Sequence, residues 1–168
     1  MSNSQSPLRL NVGFIVHQTI GFSREFDFDF PKIQIQSDLF LRDLKGVVAI
    51  TRTPQGLLVH VKMKAKITAE CVRCLNDFDQ PLDVDFSELY AFNRKSVTES
   101  GLILPEDAKI DLTPLLREFM LLEVPIKPIC RPDCKGLCPV CGENLNENIC
   151  NHPPTTGDSR FDVLKALR

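Results

Sequence analysis

Seven cysteines, at positions 71, 74, 130, 134, 138, 141 and 150, are the residues of this 168-residue chain best suited to chemistry. A thiolate can act as a nucleophile, a redox group or a ligand for soft and borderline metal ions. Their spacing favours the last role. Six fall in close groups: Cys71-Val72-Arg73-Cys74, Cys130-Arg131-Pro132-Asp133-Cys134 and Cys138-Pro139-Val140-Cys141-Gly142. Two intervening residues let both sulfurs of a pair reach one ion, and a following glycine permits the tight turn this needs. Inert buried cysteines usually stand singly among apolar neighbours. These stand beside Pro, Gly, Asn, Asp and Lys. An odd count also suits a fully paired disulfide scaffold poorly.

With His152 the cysteines make eight donors, enough for two tetrahedral sites. One assignment joins Cys138, Cys141, Cys150 and His152. Its companion joins Cys71, Cys74, Cys130 and Cys134, stitching a hairpin to the C-terminal segment. The competing assignment is a single ion on Cys134, Cys138, Cys141 and Cys150, with the other thiols free. Zinc is the expected cofactor, as one or two ions, and iron–sulfur ligation fits the same spacing. His152 also reads as an exposed loop histidine beside Pro153 and Pro154. His17 and His60 have no ligand-spaced neighbours and read as ordinary surface or sheet residues.

Catalytic readings find less support. A redox pair at Cys71 and Cys74 would belong at a helix N-terminus after a strand, whereas here the strand leads into a hairpin. The chain has no HExxH, GxGxxG, phosphate loop or nucleophile elbow. Glu143 and Glu147, near the last cysteine pair, read as solvated acids. No catalytic residue is assigned, and the chain is expected not to be an enzyme.

The elements that must position the cysteines are mostly strands. Residues 8–16 alternate in polarity and predict a half-buried strand. Phe26, Phe28 and Phe30 alternate with Glu25, Asp27 and Asp29; Pro31 then shifts the phase to Ile33 and Ile35, which predicts an edge strand or a bulge. Leu39–Leu44 suggests a helical turn or a loop. Val47–Thr51 reads as a strand and Thr53-Pro54-Gln55-Gly56 as a turn. Residues 59–70 keep period two for twelve positions, with Val59, Val61, Met63, Ala65, Ile67 and Ala69 on one face. A return strand is expected near Leu82–Phe86, and residues 93–109 read as a loop.

Asp111 or Thr113 can cap a helix carrying Pro114 in its first turn and Leu112, Leu115, Leu116, Phe119 and Leu122 at helical spacing. It must stop before Pro125. Residues 128–157 hold five cysteines, five prolines and four asparagines, too little apolar material for a core without a metal. Asp158 or Ser159 can cap a last helix reaching Arg168. The expected fold is α+β: an antiparallel β-sheet packed by one or two helices, with a C-terminal cysteine-rich, metal-stapled segment. It forms a single domain over 1–168, with 128–157 as its metal-binding subregion.

Charge bounds the partners. Twenty Lys and Arg against 22 Asp and Glu give a net charge of -2, which offers no bulk attraction to nucleic acid. A local basic face is conceivable, with Lys62, Lys64 and Lys66 on one strand and Arg73, Lys127, Arg131 and Lys135 beside the cysteines. These seven are the candidate RNA contacts, opposed by Asp83 and Asp85 on the return strand. The acidic face at Glu25, Asp27 and Asp29 would suit a basic protein, or simply solvent. No apolar run approaches the ~18 residues of a membrane span. Met1–Pro7 lacks the character of a secretory signal. A cytoplasmic location is expected.

Several stretches carry a family resemblance: Cys71-Val72-Arg73-Cys74-Leu75 followed by Phe78, then Asp111-Leu112, then Leu121-Leu122-Glu123-Val124-Pro125, then Cys130 through Asn146, and Cys150. On these the chain resembles the YceD family, the large ribosomal RNA subunit accumulation proteins. The resemblance extends to Ser159-Arg160-Phe161 and the helix through Leu167. It implies a non-enzymatic role in accumulation or maturation of large-subunit (23S) ribosomal RNA and in ribosome biogenesis. The implied partners are that RNA or its precursor particle and a small large-subunit ribosomal protein, with no membrane and no small-molecule substrate. Relatives often carry cysteine where this chain has His152, which implies a ligand there. The alternatives are a small metal- or thiol-dependent redox protein and a protein–protein adaptor without RNA contact.

Overall fold

The computed structural model describes residues 7–152. The helix expected from Asp158 or Ser159 onward lies outside the described residues. The chain divides into two compact units, 1–68 with 79–126, and 69–78 with 127–168.

The first unit is built on one antiparallel sheet. Its strands are β2 (Ser23–Ile35), β3 (Leu39–Arg52), β4 (Gly56–Glu70) and β5 (Asp77–Ala91), paired in the order β2-β3-β4-β5. A smaller pair joins β1 (Arg9–Asn11) to β6 (Lys109–Asp111), with Leu10 opposite Ile110. Two short helices complete the unit, α1 (Gly13–Val16) and α2 (Thr113–Leu122). The period-two pattern of β4 is realised: Val59, Val61, Met63 and Ala65 are buried, while Lys62, Lys64 and Lys66 are exposed. With Phe28, Val48, Ile50, Leu82, Val84 and Phe86 they belong to one apolar cluster that also includes Leu8 and Ile15, and Leu112, Leu116 and Met120 from α2 and the residue before it. The Phe86 and Phe119 rings stack at 3.8 Å, tying α2 to the sheet.

Four expectations are corrected. Residues 39–44 are strand, the opening of β3, because they pair with β2 through Leu39–Ile35 and Leu41–Ile33. The stretch 8–16 is split: β1 stops at Asn11, whose side-chain oxygen accepts from the Gly13 N–H, and the chain turns into α1. The N-cap of α2 is Leu112, and Asp111 acts one position earlier, accepting from the Thr113 N–H at 2.9 Å. Leu122 is not on the packed stripe; it is 78% exposed at the helix end. The return strand β5 is also much longer than its core positions 82–86.

The phase change at Pro31 is present inside a continuous β2. It is shared by β3, where Asp43 has φ 51° and the pairing with β4 shifts between Arg42 and Lys45. Both strands rotate their faces together, so Ile33 and Ile35 stay buried beside Leu39 and Leu41.

The outer face of the sheet is neutralised pair by pair. Lys45 meets Asp29 at 3.1 Å, Lys62 meets Asp85 at 3.2 Å, Lys64 meets Asp83 at 2.9 Å and Lys66 meets Asp43 at 3.0 Å. His60 lies between Ser87 and Asp85, an ordinary sheet position as expected. Gly46 of β3 lies opposite Met63 of β4. A Cβ there would stand 2.1 Å from the Lys62 carbonyl oxygen and 2.7 Å from Met63. Backbone cannot yield locally in mid-sheet, so Gly46→Ala should destabilise the protein by roughly 2–3 kcal/mol in urea unfolding. Gly13→Ala, whose Cβ would meet nothing nearer than 3.4 Å, serves as the tolerated control.

Candidate metal centres

Strands β4 and β5 each extend into the second unit, and the chain between them makes a tight turn carrying Cys71 and Cys74. The Leu75 N–H donates to the Cys71 carbonyl at 2.9 Å, and the Gly142 N–H donates to the Cys138 carbonyl at the same distance. The two Cys-x-x-Cys segments thus share one local design, in which the residue after the second cysteine takes a left-handed conformation. Gly142 does so at φ 75° without a Cβ penalty, and Leu75 does so at φ 57° against one. A third left-handed residue, Gly136 at φ 77°, follows Cys134 at a place where a Cβ would stand 3.0 Å from the Arg73 carbonyl oxygen.

These turns gather the thiols into two sets. Cys71, Cys74, Cys130 and Cys134 form one, and Cys138, Cys141, Cys150 and His152 the other; within each, the ligand atoms all lie within 4.8 Å of one another. The seven cysteines are free, not disulfide-bonded. In the first set Cys71 Sγ lies 3.8 Å from Cys134 Sγ and Cys74 Sγ 3.7 Å from Cys130 Sγ. Sulfurs bound at ~2.3 Å in a tetrahedron lie about 3.8 Å apart, so the spacing fits one shared ion and not a sulfur–sulfur bond. Both groups can therefore hold a metal ion. The single-ion assignment on Cys134, Cys138, Cys141 and Cys150 is not the one the fold makes, because Cys134 falls in the other set.

The two environments differ. Cys71, Cys74 and Cys134 are buried and packed with Phe78 and Ile129. In the other set Cys138 is buried, but Cys141 and His152 are exposed. Without an ion, crowding forces protons onto some thiols. Burial and the neighbouring sulfurs push Cys130 up to about 12. Hydrogen bonding with Cys138, and then burial, push Cys150 up to about 11. Burial opposes ionisation of Cys71, but the backbone amides around it outweigh that and bring it to about 6. The amides of Cys141 and Val140 bring Cys138 to about 7. Burial opposes ionisation of Cys134 as well, but the Asn146 side chain and the Gly136 amide outweigh it and hold Cys134 below its ordinary value. Each set thus already favours ionised sulfur, and an ion must displace protons from the remaining thiols.

Polar residues outside the ligand sets hold the arrangement. Asn146 donates to Cys134 Sγ at 3.4 Å, while its carbonyl oxygen accepts from the Lys135 N–H and from Arg131, both at 2.9 Å. Glu147 accepts from Asn144 at 3.0 Å and from Asn76 at 3.3 Å, which binds the two chain segments of the unit to each other. Residue type alone did not single out these supports; the signal was the asparagine enrichment beside the cysteines, which is what orienting ligands through side-chain amides requires. Among the candidate RNA contacts, Arg73 donates to the Cys134 carbonyl at 2.9 Å and Arg131 lies 3.6 Å from Asp133. Lys127 and Lys135 form no ion pair among the described residues. An ion bound by all four donors of either set would have every tetrahedral position filled by the protein.

Comparison with known proteins places this geometry. The family model described as large ribosomal RNA subunit accumulation protein YceD matches residues 59–168. An uncharacterized protein of Mycobacterium tuberculosis is 31% identical over 138 residues, covering 79% of this chain and 63% of its own length. The chain thus spans less than two thirds of that relative. An uncharacterized protein of Bacillus subtilis is 32% identical over 99 residues, 58% of each chain. In Arabidopsis thaliana, a chloroplastic protein named as a YCED homolog for large ribosomal RNA subunit accumulation is 38% identical over 64 residues, 38% of this chain and 20% of that one. No solved structure matches the chain. No described helix is long and apolar enough to cross a membrane.

Metal content and its pH dependence test the two sets. Metal analysis by native mass spectrometry should find two ions per chain, falling to one in Cys74→Ala and to one in Cys141→Ala. A chelator should strip the Cys141 set first because two of its donors, Cys141 and His152, are exposed. Binding should weaken as pH falls, since protons then compete for the thiolates.

Proposed function

Since the chain belongs to the YceD family of large ribosomal RNA subunit accumulation proteins, we propose that it is a non-enzymatic factor for accumulation and maturation of large-subunit (23S) ribosomal RNA. In this reading it acts in the cytoplasm as one domain, on precursor particles, through a surface shaped by two zinc ions. The observation that carries the metal part is the sulfur spacing of 3.7–3.8 Å in the first cysteine set. The family description and the name of the Arabidopsis relative support the ribosomal part. Zinc is the ion because all-sulfur and sulfur–imidazole sets of four suit its tetrahedral, redox-silent chemistry.

The charge balance bears on which component of the particle is gripped. Four thiolates around a divalent ion leave a net -2, and three with a neutral imidazole leave -1, so loading both sites takes the chain from a formal -2 to about -5. Lys62, Lys64 and Lys66 already face aspartates, and an RNA contact there would have to break those pairs. Lys127 and Lys135 are better placed to meet phosphate. This balance favours a basic ribosomal protein as the main contact, with RNA engaged through those two lysines.

Gradient sedimentation of cell extract tests the reading. The full chain should travel with large-subunit precursors, and Cys74→Ala should shift it to the top of the gradient. Lys127→Glu with Lys135→Glu should weaken association by a few-fold only. Sedimentation of wild-type protein away from every ribosomal precursor would contradict the proposal.

A further inference from the structure

The sheet of the first unit has an edge with specific chemistry. Strand β2 has one neighbour, β3, and no other described residue pairs with it. In an antiparallel strand alternate residues turn N–H and C=O toward opposite sides. Alternate residues of β2 therefore aim unpaired donors and acceptors away from the sheet. Pro31 has no N–H and marks the end of the usable edge, leaving Ser23–Phe30. Along this stretch one face carries Glu25, Asp27 and Asp29, all exposed, and the other carries buried Phe28 between Phe26 and Phe30, both only half-buried, with Arg24 at its start set over the Phe14 ring.

The acids at this edge differ from those on β5. Asp83 and Asp85 are each held by a lysine of β4, and Asp29 by Lys45. Glu25 and Asp27 lie opposite Ala49 and Val47, and neither has a cation partner among the described residues. Uncompensated charge on an edge blocks pairing between two copies, because acid would oppose acid. The same charge admits a strand bearing lysine or arginine at every second position, with apolar residues between them reaching Phe26 and Phe30.

We propose that Ser23–Phe30 is a docking strand for an extended segment of a partner polypeptide that alternates basic and apolar residues, added to the sheet beside β2. Main-chain hydrogen bonds supply the affinity; Glu25 and Asp27 on one face and the two phenylalanines on the other select the sequence. The inference rests on the reading of a basic protein partner and names the place and pattern of that contact.

Amide hydrogen exchange on the full, metal-loaded chain tests it, with an octapeptide alternating lysine and valine as the probe. In the free protein the outward amides of 23–30 should exchange fast, and the peptide should slow them by at least about tenfold. An N-methylated twin, with the same charge but unable to complete the ladder, should give no protection, and a glutamate–valine peptide should not bind. Glu25→Lys with Asp27→Lys should weaken the lysine peptide by about tenfold without altering the fold, since both sites are exposed. Equal protection by the N-methylated peptide, protection by an RNA oligonucleotide instead, or slow exchange already present in the free chain would each overturn the docking strand. None of these results depends on sedimentation with ribosomal precursors, so the two proposals fail separately.

Discussion

Four thiols converging from two distant parts of the chain are the constraint on which the second unit depends. Cys71 and Cys74 come from the turn between β4 and β5, while Cys130 and Cys134 come from beyond α2, yet their sulfurs stand at the separation one tetrahedral ion imposes. Besides the sulfurs, the segments are joined by polar contacts such as Arg73 to the Cys134 carbonyl and Asn76 to Glu147. The buried apolar neighbours are few, Phe78 and Ile129 beside the sulfurs themselves. Four thiolates at that spacing would repel one another strongly without a cation between them. The turns, the left-handed residues and the asparagine donors are all consequences of bringing the sulfurs within reach.

The second set works on a smaller scale. Its ligands come from a single stretch, Cys138 to His152, folded by the Cys138–Glu143 and Cys138–Gly142 backbone bonds. A local loop closure costs less chain entropy than a distant one, which is why this site needs little burial to form. The contrast between a buried set and a partly exposed one separates two duties. The first joins segments far apart in sequence. The second closes the local loop from Cys138 to His152.

Much of this was legible in the residues because both kinds of signal are local. Strict alternation over 59–70 specified β4, and cysteine spacing with His152 offered the two groups that the fold gathers, beside a single-ion alternative. What was missed depends on distant partners. Leu39–Leu44 looks irregular until its pairing with Ile33 and Ile35 is known, since the phase change at Pro31 must be matched across the strand pair. Leu122 fits the helical stripe by spacing, but the helix ends there and leaves it without a neighbour. The role of Asn146 was hidden because an asparagine acquires meaning only from what its amide faces, here Cys134 Sγ. The neutralisation of the β4 lysines was legible at Asp83 and Asp85, whereas Asp43, which meets Lys66 from β3, was not foreseen.

X-ray absorption at the zinc edge, on the full chain purified without chelator, tests the central claim most directly. The account predicts a shell dominated by sulfur at ~2.3 Å with a minor nitrogen contribution from imidazole at ~2.0–2.1 Å, as expected for seven thiolates and one histidine shared between two ions. A shell dominated by oxygen and nitrogen, or protein that carries no metal while its thiols remain buried, would contradict it.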